Sequence, residues 1–366
     1  MQNNSTTTIA VVFGGASNEN EISVITGTMA SNVLKTGGTC VMPVYIAQSG
    51  EFFAGEELLK LDTYKQNAFK NCSKAVIADG GIYLQNKRGK VKKYIKVDCV
   101  LNCCHGGWGE GGGLSGLCAA AGLPLAGAGA FESSAFMDKY LTKIVLAGLG
   151  VKVAPYRYVL PASRDICGLP YPLIVKPATL GSSIGIQKVE DGEQLKAALD
   201  CAFIYDSAAI VEKYLAPRRE INCAAYFAND EVVVSECEEA ITTGDILSFE
   251  DKYQGGGKSV IPADIPAEIS THIREITRTV YTKLNMRGIV RFDYILTDGE
   301  VFLSEVNTVP GSLAYYLFAK SFKDFSSVLE SIISQAEKDF IRSRKKLLTT
   351  GILQNIPANS AKSVRK

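Results

Sequence analysis

Two histidines and no C-x-x-C pair are all that 366 residues offer to a zinc site, so the usual ligand spacings are excluded. The ten cysteines are Cys40, Cys72, Cys99, Cys103, Cys104, Cys118, Cys167, Cys201, Cys223 and Cys237. Most sit in apolar surroundings and read as small buried hydrophobes. The first residues, Met-Gln-Asn-Asn-Ser-Thr, lack the apolar region of a signal peptide. No apolar run approaches membrane-spanning length, and the reducing cytoplasm is the expected location. Charge of one sign is not in excess: the formal net charge is +1, which gives no global attraction to nucleic acid or an anionic membrane. Basic residues gather near the C-terminus, at Arg342, Arg344, Lys345 and Lys346 and again at Arg365 and Lys366, and read as a solvated helix end with a frayed tail. The P-loop pattern Gly-x-x-x-x-Gly-Lys-Ser/Thr is missing. Gly14-Gly15 falls short of a full dinucleotide fingerprint.

What is present is a chain long enough for more than one core, with 46% hydrophobic and 21% charged residues. Residues 8–13 form an apolar run entering a glycine turn, followed by a helical pattern over 22–34, strand candidates at 41–46 and 97–104, and His105-Gly106-Gly107. Alternating strands and helices predict an open, mostly parallel α/β sheet in the first third. Ligands of such sheets bind at the carboxyl ends of the strands, beside Glu19 and His105. Ser133 or Ser134 is a candidate cap for a helix to Leu146. Residues 173–176 and 186–189 read as strands around a Gly/Ser turn, 193–203 as a helix, and 209–215, 220–227 and 231–240 as antiparallel strands. Residues 243–257 form a polar, Gly-rich loop of the kind that serves as a lid. A helix over 269–284 and a hairpin over 288–307 follow.

That hairpin carries Arg291-Phe292-Asp293 and Glu305-Val306-Asn307. A two-residue Asp298-Gly299 turn pairs Thr297 with Glu300 and puts Asp293 and Glu305 on opposite faces. A three-residue loop puts all four polar side chains on one face and leaves Phe292, Tyr294, Phe302 and Val306 on the other, and is the arrangement expected here. Two carboxylates and an amide oxygen on one face suit a hard cation such as Mg²⁺; a surface Arg–Asp–Glu cluster accounts for the same pattern about as well. Lys176 followed by Gly181-Ser182-Ser183-Ile184-Gly185 can hold phosphate oxygens with an ammonium and backbone N–H groups, although an ordinary hairpin turn has the same composition. Lys139, Glu212 and Glu220, taken singly, read as solvated surface.

Together and in this order the segments resemble the D-alanine–D-alanine ligases of the ATP-grasp superfamily. The matches are Gly14-Gly15-x-Ser17-x-Glu19-x-Glu21-Ile22-Ser23, His105-Gly106 with Gly109-Glu110, Met137-Asp138-Lys139, Lys176-Pro177, Gly181-Ser182-Ser183-x-Gly185, Lys252-Tyr253, Arg291-x-Asp293, and Glu305-x-Asn307-Thr308-x-Pro310-Gly311. The resemblance implies an α/β ATP-grasp fold: a Rossmann-like domain over 1–128, a central subdomain over 129–208, a C-terminal domain with metal site and lid over 209–345, and a basic tail over 346–366. It implies ligation of two D-alanine molecules through a D-alanyl phosphate for peptidoglycan precursors, in a cytoplasmic homodimer using ATP and two ions of Mg²⁺ or Mn²⁺. It assigns Asp293, Glu305 and Asn307 to metal, Lys139 and Lys176 to phosphate, and Glu212 and Glu220 to adenine and ribose. Lys252 would reach the transferring phosphate, and Glu19 would pair with the first substrate's ammonium near His105. Arg291 and the Gly311 N–H would face the oxyanion, and Glu19, Ser182 and Tyr253 would link the closed lid. A tyrosine at 253, where D-lactate-adding relatives carry histidine, fits an amine acceptor.

The sequence departs from the family pattern at Gly111, where an aspartate is usual, at Ser115 and at 312–316. There Tyr316 stands in place of a serine that helps bind the second substrate's carboxylate. An alternative acceptor, such as D-serine, another amino acid or a hydroxy acid, follows from that change. A non-catalytic nucleotide-binding protein is opposed by the intact Arg291, Asp293, Glu305 and Asn307.

Overall fold

The computed structural model describes residues 7–166, 168–241, 258–344 and 350–356. Lys252, Tyr253 and most of the basic tail lie outside them.

The apolar run at the start forms β1 (Thr8–Gly14), whose side chains are buried almost throughout, and leads into α1 (Asn20–Thr36) and β2 (Cys40–Ile46). After β3 (Phe52–Ala54) and the short α2 (Leu61–Lys65) come β4 (Ser73–Ala78), β5 (Gly81–Gln85) and β6 (Val91–Lys96). β7 (Cys99–Asn102), α3 (Leu114–Ala120) and β8 (Leu125–Ala126) complete the first unit. They make one eight-stranded sheet in the order β6-β5-β4-β3-β2-β1-β7-β8. The expectation of a mostly parallel sheet is corrected. β1 pairs in parallel with β2 and β7, and β7 with β8, but β2 through β6 form an antiparallel meander. Connection length decides this for β2–β3, β4–β5 and β5–β6, whose links are far shorter than the dozen or more residues a parallel crossover needs. Between β4 and β5 there are only Asp79 and Gly80, both with positive φ, which is the tight hairpin geometry.

The second unit opens with α4 (Ala130–Met137) and α5 (Lys139–Gly148). The predicted Ser133 or Ser134 cap is not used. Asp138 breaks the helix instead, and its carboxylate accepts from the backbone N–H groups of Tyr140 and Leu141, satisfying donors the new helix leaves open. That break puts Lys139 at the start of α5. β9 (Tyr156–Val159), β10 (Leu173–Pro177), β11 (Gln187–Val189), α6 (Gly192–Tyr205) and β12 (Ala209–Lys213) follow, in a four-stranded antiparallel sheet ordered β11-β10-β12-β9.

The third sheet contains β13 (Arg219–Ala228), β14 (Glu231–Val234), β15 (Glu238–Ile241), β16 (Lys258–Val260), β17 (Val290–Thr297) and β18 (Glu300–Asn307), with α7 (Ala267–Lys283) against it. The single strand predicted over 231–240 is two, because β14 and β15 pair with different stretches of β13. The three-residue hairpin loop is also corrected. Thr297 pairs with Glu300 across Asp298 and Gly299, whose φ values are 47° and 78°, the two-residue type I′ turn. The parity change comes from a bulge further up the hairpin: Tyr294 pairs with Leu303 and Asp293 with Glu305, leaving Ser304 unpaired. One extra residue on one strand swaps faces beyond it, so Asp293 and Glu305 oppose each other after all.

The last helix, α8 (Phe322–Ser343), is capped by Ser321, whose hydroxyl accepts from the Asp324 N–H. Its buried Phe325, Leu329, Ile332, Ile333 and Ala336 follow helical spacing. They join Ile9, Val11, Leu34 and Leu101 in the core of the first sheet. α8 is thus packed on the first sheet, and the turn after β18 lies against α1. Among the described residues no helix is long and apolar enough to cross a membrane.

Candidate active site

The three sheets meet around a cavity of about 360 Å³ lined by Glu19, His105, Glu110, Lys139, Ser182, Arg291, Glu305, Asn307, Gly311 and Tyr316, among others. That volume lies in the range of small-molecule sites.

On the third sheet, Arg291 donates to both carboxylate oxygens of Asp293, Nε at 2.7 Å and an Nη at 2.8 Å. This fork geometry is among the stronger ion-pair contacts. Asn307 donates its amide to Asp293 at 3.0 Å, and Glu305 faces Asp293 across the strand pair. The bulge therefore places two carboxylates and an amide on neighbouring strands, one face, beside the cavity. Among the described residues no group of three His, Cys, Asp or Glu side chains converges. The third member of this set is an amide oxygen instead.

On the second unit, β10 and β12 pair so that Ile174 lies opposite Glu212. Glu212 reaches Lys176 at 2.9 Å and Lys143 at 3.0 Å, and all three are buried. Burial alone would raise the Glu212 carboxyl; the two ammoniums outweigh it and hold it down at about 2. Burial also lowers the Lys143 ammonium, with Glu212 opposing. Lys139 donates its Nζ to the Leu180 carbonyl at 2.5 Å and is likewise lowered by burial. Glu212, Lys176 and Glu220 do not line the cavity itself. Glu220, on β13, is ion-paired to Arg218.

The glycine-rich turn after β10 brings Ser182 to Glu19, to which its hydroxyl donates a short hydrogen bond. Ser182 and Ser183 both have positive φ, a conformation uncommon outside glycine. A Cβ at Gly181 would stand 2.7 Å from a Glu19 carboxylate oxygen, so the turn can approach only because that side chain is missing. The expected link between Glu19 and Ser182 is present; its third member, Tyr253, lies outside the described residues, as does Lys252.

His105 is 4% exposed, with its Nε2 2.8 Å from the Thr26 hydroxyl. Burial drops its pKa to about 4, and Arg291 adds to the shift while a backbone hydrogen bond with Val309 opposes it. At neutral pH the ring is uncharged. Glu110 accepts from the Gly106 N–H at 2.7 Å and the Val309 N–H at 3.2 Å. Burial, with repulsion from Glu19, pushes its carboxyl up to about 8. Tyr316 faces Arg291, and burial raises its phenol. It reaches that place through a turn in which Ser312, Leu313 and Ala314 all have φ near +50°.

Sequence reasoning missed Lys143, Thr26 and the pair Asn222–Glu238. The amide of Asn222 donates to Glu238 at 3.0 Å, and both line the cavity. Lys143 could have been found, since it lies four residues after Lys139 on one helix. Asn222 could also have been found, two residues after Glu220 on one strand face. Thr26 carries no such signal.

The family model described as D-ala D-ala ligase N-terminus matches residues 8–128, and that described as D-ala D-ala ligase C-terminus matches 148–336. A D-alanine–D-alanine ligase of Thermosipho melanesiensis is 33% identical over 358 residues, covering 94% of this chain and 98% of the relative. One from Nitratiruptor is 34% identical over 332 residues, covering 90% and 94%. Among solved structures, the D-alanine–D-alanine ligase of Helicobacter pylori superposes with a TM-score of 0.76 at 28% identity, over 90% of this chain and 98% of its own. A D-Ala:D-Ser ligase of Enterococcus faecalis gives 0.77 at 29%, over 91% and 100%.

Proposed function

The chain belongs to the D-alanine–D-alanine ligase family, and from that premise we propose how its own residues carry the reaction. It is an ATP-dependent ligase with the ATP-grasp fold that joins two D-alanine molecules for peptidoglycan synthesis, and its family depends on a divalent metal. The relatives do not favour another acceptor.

The observation that carries the residue assignment is the placement of two opposite charges across one cavity, the Glu19–Ser182 pair on one side and the Arg291–Asp293 fork on the other. A D-alanine zwitterion needs both. Glu19 takes the ammonium of the first D-alanine, and the neutral His105 ring forms part of that wall. The first carboxylate then attacks the γ-phosphorus of ATP, ADP leaves, and a D-alanyl phosphate results. Lys139 and Lys176 hold phosphate oxygens, with Glu212 and Glu220 toward the nucleoside. The amine of the second D-alanine attacks the acyl carbon, and phosphate leaves as the amine loses a proton. Arg291 and the Gly311 N–H face the oxyanion of that step, where a donor is worth ~3 kcal/mol. Tyr316, beside Arg291, borders the second carboxylate. Lys252 and Tyr253, which the family resemblance assigns to the transferring phosphate and to the link with Glu19 and Ser182, lie outside the described residues.

The residues fit a hard cation: Asp293, Glu305 and Asn307 offer oxygen donors on one face, the set Mg²⁺ prefers. We assign them two Mg²⁺ ions, which when bound neutralise phosphate charge. We also assign the domains to 1–128, 129–208 and 209–345 with a tail over 346–366, and place the protein in the cytoplasm as a homodimer. The nine described cysteines are all free thiols, in keeping with a reducing compartment.

The test is incubation with ATP, Mg²⁺ and D-alanine, following phosphate release and identifying the product by mass spectrometry. D-Ala-D-Ala formed in step with phosphate is the expected result. Phosphate release that requires D-serine or a hydroxy acid as second substrate would overturn the acceptor assignment.

A further inference from the structure

The turn that carries Gly311 and Tyr316 is unusual in its backbone. Three successive residues without glycine, Ser312, Leu313 and Ala314, have φ values of 49°, 51° and 47°, a region disfavoured for L-residues because Cβ approaches the following carbonyl. Something must hold it. Its apolar side chains, Leu313 and Ala314, are buried in the core shared by the first sheet and α8. Its backbone is held from α1, where the Thr26 hydroxyl accepts from the Ser312 N–H at 3.0 Å. The same oxygen lies 2.8 Å from His105 Nε2. A hydroxyl has one proton and two lone pairs. The Ser312 bond leaves it free to donate or accept once more; the neutral ring keeps its proton on the other nitrogen, toward the Val309 backbone, which makes Nε2 the acceptor and the Thr26 hydroxyl its donor. Thr26 is fully buried and does not itself line the cavity.

We infer that Thr26 is a positioning residue for ligation: one hydroxyl ties the left-handed turn and His105 to the same point, and thereby sets where the Gly311 N–H and the Tyr316 ring stand relative to Arg291. The inference rests on the oxyanion and second-substrate roles given above to Arg291, Gly311 and Tyr316. It differs from a merely satisfied core threonine in what it requires, because removing the hydroxyl must disturb turnover more than nucleotide binding.

The test compares Thr26→Val, which keeps the shape and removes the hydroxyl, with Thr26→Ser, which keeps the hydroxyl. Phosphate release from ATP, Mg²⁺ and D-alanine is measured beside thermal unfolding. Thr26→Val is expected to lower kcat tenfold or more with KM for ATP within twofold, and Thr26→Ser to restore most of the rate. Retention of kcat by Thr26→Val, or a loss in Thr26→Ser as large as in Thr26→Val, overturns the inference. Should Thr26→Val fail to fold, Thr26→Ala is read in its place.

A second readout does not depend on turnover. Only two histidines are present, His105 and His272, so in a His272→Gln background the ¹⁵N ring signals of His105 stand alone. Thr26→Val must shift the Nε2 signal while Thr26→Ser leaves it in place; equal spectra overturn the inference. If the native chain itself gives no D-alanine-dependent phosphate release, the proposed residue roles fail in that lane, while this inference is still decided by the spectra.

Discussion

Glu212 is the only carboxylate in a buried cluster with two ammoniums, at 3.0 Å and 2.9 Å, and its replacement is a stringent test of the site's electrostatics. With all three groups ionised the cluster carries one net positive charge. Glu212→Gln leaves Lys143 and Lys176 buried without a counter-charge. Breaking a buried pair in this way costs about 3–5 kcal/mol. Lys143→Met instead leaves a one-to-one Glu212–Lys176 pair and is expected to cost less. The order of the two losses is the signature. A pH signature accompanies it. The Glu212 pKa is lowered from 4.5 to about 2, and each unit corresponds to about 1.4 kcal/mol. For a carboxyl with a depressed folded pKa, the stabilisation is full above the unfolded value and fades as pH falls through the folded one. The native chain should therefore lose about 3 kcal/mol of local stability between pH 4.5 and 2 that Glu212→Gln does not lose. Hydrogen exchange of β12 and α5 amides reads this locally and avoids assuming that three sheets unfold as one. The ATP dissociation constant should rise in both variants, more in Glu212→Gln. If Lys143→Met proves the more damaging, or if both variants show native protection in β12, the charge argument is wrong.

Arg291→Met should lower kcat by about 10²–10³, the usual loss for one oxyanion donor, with little change in KM for ATP. Steady-state kinetics at saturating metal would show it, and a loss confined to KM would count against the oxyanion role. His105 has its pKa lowered from 6.5 to about 4 by burial, so its stabilising contribution is complete above pH 6.5 and disappears as pH falls through 4. Urea midpoints of the native chain should accordingly fall across pH 6.5–4 relative to His105→Gln, and parallel curves would refute the assignment. Leu329→Ala, in the fully buried stripe of α8, should destabilise by about 2–5 kcal/mol. Because α8 packs under the first sheet, the loss should appear in amides of β1 and β7 as well as in α8.

Much of this site was legible in the sequence, and the exceptions have physical causes. Arg291, Asp293, Glu305 and Asn307 were readable as one set because the apolar residues between them require the opposite face. The means was not readable: the sequence pointed to a longer hairpin loop, whereas an ordinary type I′ turn closes the hairpin and Ser304 supplies the parity change. A bulge has no residue signature of its own, and turn composition cannot reveal it. The meander from β3 to β6 was unread because its strands are short and partly exposed, which weakens the two-residue periodicity. Thr26 was invisible for a different reason. Its partners lie 79 and 286 residues away, and a threonine on an apolar helix face looks the same whether or not its hydroxyl is engaged.

The arrangement also explains why the chemistry is divided among three sheets. An amino-acid zwitterion needs a carboxylate at one end and a guanidinium at the other, yet Glu19 and Arg291 on one strand pair would neutralise each other. Here each is already satisfied on its own side, Glu19 by Ser182 and Arg291 by Asp293, with the cavity between them. Both also line the cavity, which is what the proposed substrate roles draw on. Glu110, pushed up to about 8 by burial, stays largely protonated at neutral pH and adds little negative charge near the approaching phosphates. It can therefore tie the β18 loop to the first sheet through backbone N–H groups without repelling ATP. Glu110→Gln keeps only one of the two acceptors and should loosen the β18 loop, whereas a severalfold gain in ATP binding would show that the native carboxylate is charged.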